Sequence, residues 1–165
     1  MLKINDQIPL DIPIKDHSGK VVSLRDFLGS VVVLYTYPKD DTPGCIKEAC
    51  SLRDLKSEFE DLGVKVFGIS PDDTVSHQKF IKKYDLTFQL LVDTDQVFLK
   101  ALGVWGERSF MGKKYMGVER TTFLIDQTGK IIYVWEKVKP EGHGEKILEE
   151  VKSQKLIVKS WRAPH

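Results

Sequence analysis

The run Val31-Val32-Val33-Leu34-Tyr35-Thr36-Tyr37, followed closely by Thr42-Pro43-Gly44-Cys45, constrains the fold more than any other feature of the chain. A continuous apolar run has no face to offer to water, so the strand it forms must be covered on both sides, as strands inside parallel sheets are. Thr-Pro then reads as a helix start, with Thr as cap and Pro at the first helical position. Cys45 falls in the first turn, where unpaired backbone N–H groups and the helix dipole favour an anion. A cysteine placed there is held partly as thiolate at neutral pH. Cys50, the only other cysteine, follows in the same phrase.

Around this point the chain alternates strand and helix. Leu10 to Ile14 and Val21 to Leu24 flank the turn cluster Asp16-His17-Ser18-Gly19 and predict a hairpin, with Pro13 marking its first arm as an edge strand. Residues 43–62 carry Ala49, Leu52, Leu55, Phe59 and Leu62 at helical spacing, with Cys45 on the same inward stripe. Gly63 ends that helix and Val64–Ser70 is the next strand. Asp72/Asp73-Thr74 caps a helix to about Tyr84. Phe88–Val92 is a short strand, and Gln96–Leu102 a short helix closed by Gly103. The stretch from Val104 to Gly117, with Gly106, Gly112 and Gly117, reads as a long surface loop or irregular hairpin. Arg120–Asp126 and Lys130–Glu136 flank Gln127-Thr128-Gly129 as a closing hairpin, Glu145–Val151 is the last helix, and the tail frays from about residue 154. Parallel strands joined by helices and closed by a hairpin and a helix make an α/β, thioredoxin-like plan with an N-terminal β-hairpin and central insertions.

Composition narrows the function classes. A chain of 165 residues is the natural size of one domain. Its net charge of +1 gives no reason to expect nucleic acid or an anionic membrane as partner. No apolar run reaches transmembrane length, and the first residues carry no signal-peptide core, so a cytoplasmic protein is the expectation. In a reducing compartment two close cysteines are catalytic or metal-binding rather than a staple. A structural zinc needs four ligands, and His17, His77, His143 and His165 offer none at ligand spacing, so no metal is expected.

The segments Tyr37-Pro38-Lys39-Asp40-Asp41-Thr42-Pro43-Gly44-Cys45, Glu48-Ala49-Cys50 and Arg120-Thr121-Thr122-Phe123-Leu124-Ile125-Asp126 resemble a peroxiredoxin, most closely the bacterioferritin-comigratory or peroxiredoxin Q subfamily. The resemblance runs from the first hairpin to about residue 152. It implies a peroxidase that reduces hydrogen peroxide and organic hydroperoxides without a cofactor. By position it makes Cys45 the peroxidatic and Cys50 the resolving cysteine, with an intramolecular disulfide between them. Thr42, Arg120 and Pro38 form the supporting set. Thioredoxin or glutaredoxin is the implied reductant. A monomer is implied too, because no partner subunit is chemically required. Ile46 and Thr36 depart from the usual Thr and Phe.

The chemistry gives each residue a task. Arg120 supplies a fixed positive charge to the thiolate and the peroxide. The Thr42 hydroxyl donates to sulfur or peroxide, and Pro38 shields the thiolate from water. Glu48, one turn after Cys45, opposes the thiolate unless it pairs with Arg120; a plain solvated helix residue is its other reading. Lys47, Trp105 and the histidines read as surface or packing. A thioredoxin-type oxidoreductase fits less well, because its Cys-x-x-Cys spacing is absent. A non-enzymatic redox sensor shares the first chemical step and stays open.

Overall fold

The computed structural model describes residues 1–154. The expected frayed tail, from Lys155 to His165, lies outside the described residues. A seven-stranded sheet with strand order β2-β1-β5-β4-β3-β8-β9 forms the centre. Its parallel heart is β3 (Val31–Thr36), β4 (Val64–Ser70) and β5 (Gln89–Val92). Antiparallel β8 (Thr121–Ile125) and β9 (Ile131–Trp135) extend one side. Antiparallel β1 (Ile14–Asp16) and β2 (Val21–Val22) extend the other.

The alternation of strand side chains divides the core into two layers. Val32 and Leu34 point into one, with Ile69, Phe123 and the face of α4 (Val97–Leu102). Val31, Val33, Tyr35 and Tyr37 point into the other, against Cys45, Ala49 and Leu52 of α1 (Pro43–Arg53), Phe59 of α2 (Lys56–Asp61), Phe80 of α3 (Thr74–Tyr84), and Ile147 and Val151 of α5 (His143–Ser153). The period-two pattern therefore buries both faces of β3 and sets Cys45 in the second layer.

Several expectations need correction. The arm after Pro13 is not an edge strand: β1 begins one residue later and lies between β2 and β5. Pro13 precedes the ladder, so its missing N–H interrupts no strand pairing. The helix expected over 43–62 breaks at Asp54–Leu55 into α1 and α2. The glycine-bearing stretch after Val104 is a regular two-stranded hairpin, β6 (Trp105–Phe110) with β7 (Lys113–Val118). It turns on Met111 and Gly112, both at positive φ, the backbone that two-residue hairpin loops require. Among the described residues no helix is long and apolar enough to cross a membrane.

Candidate active site

The site forms where β3 gives way to α1. Beyond Thr36 the chain turns through Pro38 to Asp41, with Asp41 in the left-handed region at φ 58°. Two neighbouring carboxylates tie this turn to α3. Asp40 accepts from the Tyr37 hydroxyl at 2.6 Å and the Ser76 hydroxyl at 2.8 Å, and pairs with His77 Nδ1 at 2.7 Å. Asp41 accepts from Lys83 Nζ at 2.9 Å and the Tyr84 hydroxyl at 2.8 Å. These contacts fix the start of α1.

Thr42 supplies the first helical acceptor through its backbone, its carbonyl taking the Ile46 N–H at 2.8 Å. Its hydroxyl does not cap the helix or reach the sulfur. It donates instead to the Lys39 carbonyl at 2.9 Å, across the turn that Asp41 closes. Pro38 is exposed on that turn. Cys45 is 1% exposed at the first turn of α1, Cys50 is half-buried further along the same helix, and both are free thiols.

Arg120 enters from the start of β8 and joins the two acidic groups of α1. Its Nη2 donates to Cys45 Sγ at 3.3 Å, and its Nη1 donates to Glu48 Oε1 at 2.7 Å. Burial works against the guanidinium charge, but Glu48 and Cys45 outweigh it and hold Arg120 firmly protonated. Gly44 makes this approach possible. A Cβ there would stand 3.0 Å from Arg120 Nη2 and 3.4 Å from Pro140 Cγ. Thr36 sets the strand that carries Arg120: its hydroxyl donates to the Glu119 carbonyl at 2.8 Å and accepts from the Thr121 N–H at 3.1 Å. Ile46 packs half-buried against the second core layer. The two departures from the family pattern are thus a strand-to-strand tie and a packing contact.

Two further buried polar residues stand at the site. Glu48 is 0% exposed, and burial pushes its carboxyl up to about 7, against the pull of the Arg120 charge and hydrogen bond. His143, at the start of α5, has Nε2 2.8 Å from the Thr122 hydroxyl and 4.0 Å from Glu48 Oε2. Burial, then the charges of Lys146 and Arg120, push this imidazole down to about 4, so it is neutral at neutral pH. Of the two readings of Glu48, paired or solvated, the structure has the pair with Arg120; His143 reads as packing in the sequence, and no local signal marks it out.

One cluster could in principle hold a cation: ligand atoms of Asp40, Asp72 and His77 lie within 4.8 Å of one another. Hydrogen bonds already occupy it. Asp72 accepts from the Asp40 N–H at 2.8 Å and the Ser70 hydroxyl at 2.6 Å, and His77 Nε2 lies 2.8 Å from the Leu91 carbonyl. Both ring nitrogens of His77 are engaged, Nδ1 with Asp40 and Nε2 with the Leu91 carbonyl. The cluster braces the turn.

An arginine bonded to a helix-start thiol in a closed, apolar layer stabilises a sulfur anion and leaves it little bulk water to hydrate it. Comparison with known proteins agrees with that chemistry. Residues 4–134 match the AhpC/TSA family. Peroxiredoxin Bcp of Bacillus subtilis is 43% identical over 151 residues, 92% of this chain and 96% of that protein. Peroxiredoxin Bcp of Escherichia coli K12 is 44% identical over 151 residues, again 92% and 96% of the two chains. Among solved structures, the bacterioferritin comigratory protein of Xanthomonas campestris superposes with TM-score 0.86 at 34% identity, over 93% of this chain and 99% of that one. PrxQ of Xylella fastidiosa gives 0.88 at 34% identity, over 93% and 98%. With its reactive-thiol geometry and these relatives together, the chain belongs to the AhpC/TSA family, within its bacterioferritin-comigratory or peroxiredoxin Q group.

Proposed function

We propose that Cys45 is the peroxidatic cysteine of a thiol-specific peroxidase for hydrogen peroxide and organic hydroperoxides, and that Cys50 resolves its oxidised form. The observation that carries this is the 3.3 Å contact from Arg120 Nη2 to a Cys45 sulfur only 1% exposed. The Xanthomonas campestris relative was studied for alkyl peroxide reduction, which supports organic hydroperoxides as substrates here.

The Cys45 thiolate attacks one peroxide oxygen. An S–O bond forms as the O–O bond breaks, sulfur gives up two electrons, and the alkoxide or hydroxide that leaves takes a proton. Arg120 offers a fixed charge to the sulfur before attack and to the oxygens during it. Thr42 and Pro38 shape the entrance from the turn that precedes α1. The sulfenic acid then condenses with the Cys50 thiol, releasing water and forming a disulfide. Thioredoxin or glutaredoxin reopens it by thiol–disulfide exchange.

Condensation requires α1 to open. Residues five apart on a regular helix have Cα atoms ~8.7 Å apart, from a rise of about 1.5 Å and a radius of about 2.3 Å. A disulfide needs less than about 7 Å. Cys45 and Cys50 both lie within α1, so its first two turns unwind before they bond. Those turns have the fewest intrahelical hydrogen bonds to lose. Because the resolving thiol lies in the same helix, the protein works as a monomer, and its dependence on a dithiol reductant fits the cytoplasm.

A coupled assay with thioredoxin, thioredoxin reductase and NADPH tests the assignment. Cys45→Ser abolishes turnover. Cys50→Ser still consumes one equivalent of peroxide and forms a trappable sulfenic acid, but loses coupled turnover. Substantial activity in Cys45→Ser would remove Cys45 as nucleophile. Full coupled activity in Cys50→Ser would mean an external thiol resolves it, and wild-type oxidation without turnover would favour a sensor.

A further inference from the structure

Arg120 stands between two buried groups that can each become an anion. Cys45 and Glu48 are 1% and 0% exposed, and each bonds a different nitrogen of the one guanidinium. Among the described residues the ion-pair neighbours of Glu48 are Arg120, just before β8, and His143 from α5. His143 is not a second cation, for the burial and nearby charges given above keep it neutral. Glu48 also has a charge interaction with Tyr35 of β3, whose buried hydroxyl has no hydrogen-bond partner. A single positive charge therefore faces two candidate anions where water screens little. Two like charges in such a site do not ionise independently.

The second oxygen of Glu48 points the same way. Oε2 is buried and accepts no hydrogen bond. A full carboxylate leaves that oxygen charged and unsatisfied, whereas a protonated carboxyl concentrates little charge there.

We propose that Cys45 and Glu48 share one proton across Arg120, so that Glu48 is protonated while Cys45 is the thiolate and ionised while Cys45 is neutral. The inference rests on the assignment of Cys45 as the sulfur that attacks peroxide. The net change is Cys45–SH plus Glu48–COO⁻ going to Cys45–S⁻ plus Glu48–COOH, with no electrons exchanged. With Arg120 positive, the trio is neutral on both sides of that change. When the thiolate attacks, sulfur becomes the neutral sulfenic acid and RO⁻ departs. RO⁻ takes a proton from solvent and becomes ROH, Glu48 gives up its own proton to solvent, and the trio is neutral again. Glu48 is a positioning residue: it acts through Arg120 and does not touch the peroxide. The upward push that burial gives its carboxyl, to about 7, leaves the charge on sulfur to decide its state near neutral pH.

The test uses Cys50→Ser protein under reducing conditions, so that only Cys45 reacts. Alkylation of Cys45 with neutral iodoacetamide turns the thiolate into an uncharged thioether. Difference infrared spectra at neutral pH are expected to lose one buried carboxylic-acid C=O band on alkylation, and the band is absent when Glu48→Gln is added. Glu48→Gln keeps a hydrogen-bond acceptor for Arg120 without the competing charge. The pH midpoint of Cys45 alkylation is expected to fall by about one unit or more in that variant. A carboxylic-acid band untouched by alkylation overturns the proposal, as does an unshifted midpoint in folded Glu48→Gln. The infrared result needs no change at Glu48 and stands even if that variant folds poorly. Peroxide turnover surviving in Cys45→Ser is a separate failure, read by turnover rather than by alkylation.

Discussion

Glu48→Gln also changes how stability responds to pH, by an amount the structure sets. Folding raises the Glu48 carboxyl from an ordinary 4.5 to about 7. A group raised on folding contributes stability that is fully present below its unfolded value and lost as pH rises through its folded value. At about 1.36 kcal/mol per unit, the loss comes to about 3 kcal/mol, spread between those two values. His143 works in the opposite sense. Its imidazole falls from 6.5 to about 4, so its contribution is present above the first value and lost as pH falls through the second. The size is again about 3 kcal/mol, so the two slopes oppose each other through mildly acid pH. Glu48→Gln removes the first slope and leaves the second. Urea unfolding of the reduced protein at about pH 5 and about pH 8 is expected to show the variant gaining about 2–3 kcal/mol relative to wild type between them. Parallel pH dependence in the two proteins would show that Glu48 ionises as freely as a surface carboxylate, and would refute the reasoning.

Two further substitutions probe the arginine contact. Arg120→Met keeps a long apolar side chain but removes the donor at 3.3 Å from Cys45 Sγ, so the peroxide rate is expected to fall about 100-fold and the alkylation midpoint to rise; an unchanged alkylation profile would place Arg120 outside the site. Gly44→Ala sets a methyl 3.0 Å from Arg120 Nη2, which has to give way by a few tenths of an ångström. Ala favours helix over Gly by up to about 1 kcal/mol, so a thermal midpoint equal to or above wild type is expected together with a slower peroxide reaction; an unaltered rate would mean the guanidinium can shift freely.

The sequence exposes the frame of this site more readily than its interior. The apolar run of β3 and the Thr-Pro start of α1 carry their signals locally, so the position of Cys45 at the head of a helix behind a buried strand is legible in them. Glu48 is legible only in part. Its place one turn after Cys45 calls for a cation, but its full burial does not show, because the compensating Arg120 is 72 residues away in sequence. His143 is hidden for the same reason, since its partners Thr122 and Glu48 come from other elements. The hydroxyl of Thr42 turns to the Lys39 carbonyl rather than to the sulfur because Asp41 adopts a left-handed backbone, which no residue of the turn signals in the sequence. The β6–β7 hairpin was obscured by a Met-Gly turn in place of the Asn-Gly or Asp-Gly that usually marks such loops. Tertiary partners decided Glu48 and His143, and local turn geometry decided the other two cases.

Amide hydrogen exchange across residues 43–53, measured on reduced protein and on protein oxidised with one equivalent of peroxide, tests the central claim most directly. Reduced α1 holds Cys45 closed under Arg120, and resolution by Cys50, as proposed, requires that helix to open. With a disulfide between Cys45 and Cys50 mapped by mass spectrometry, the account predicts faster exchange and lower helical circular dichroism in the oxidised form. The same mapped disulfide with exchange and circular dichroism identical in the two states would contradict it.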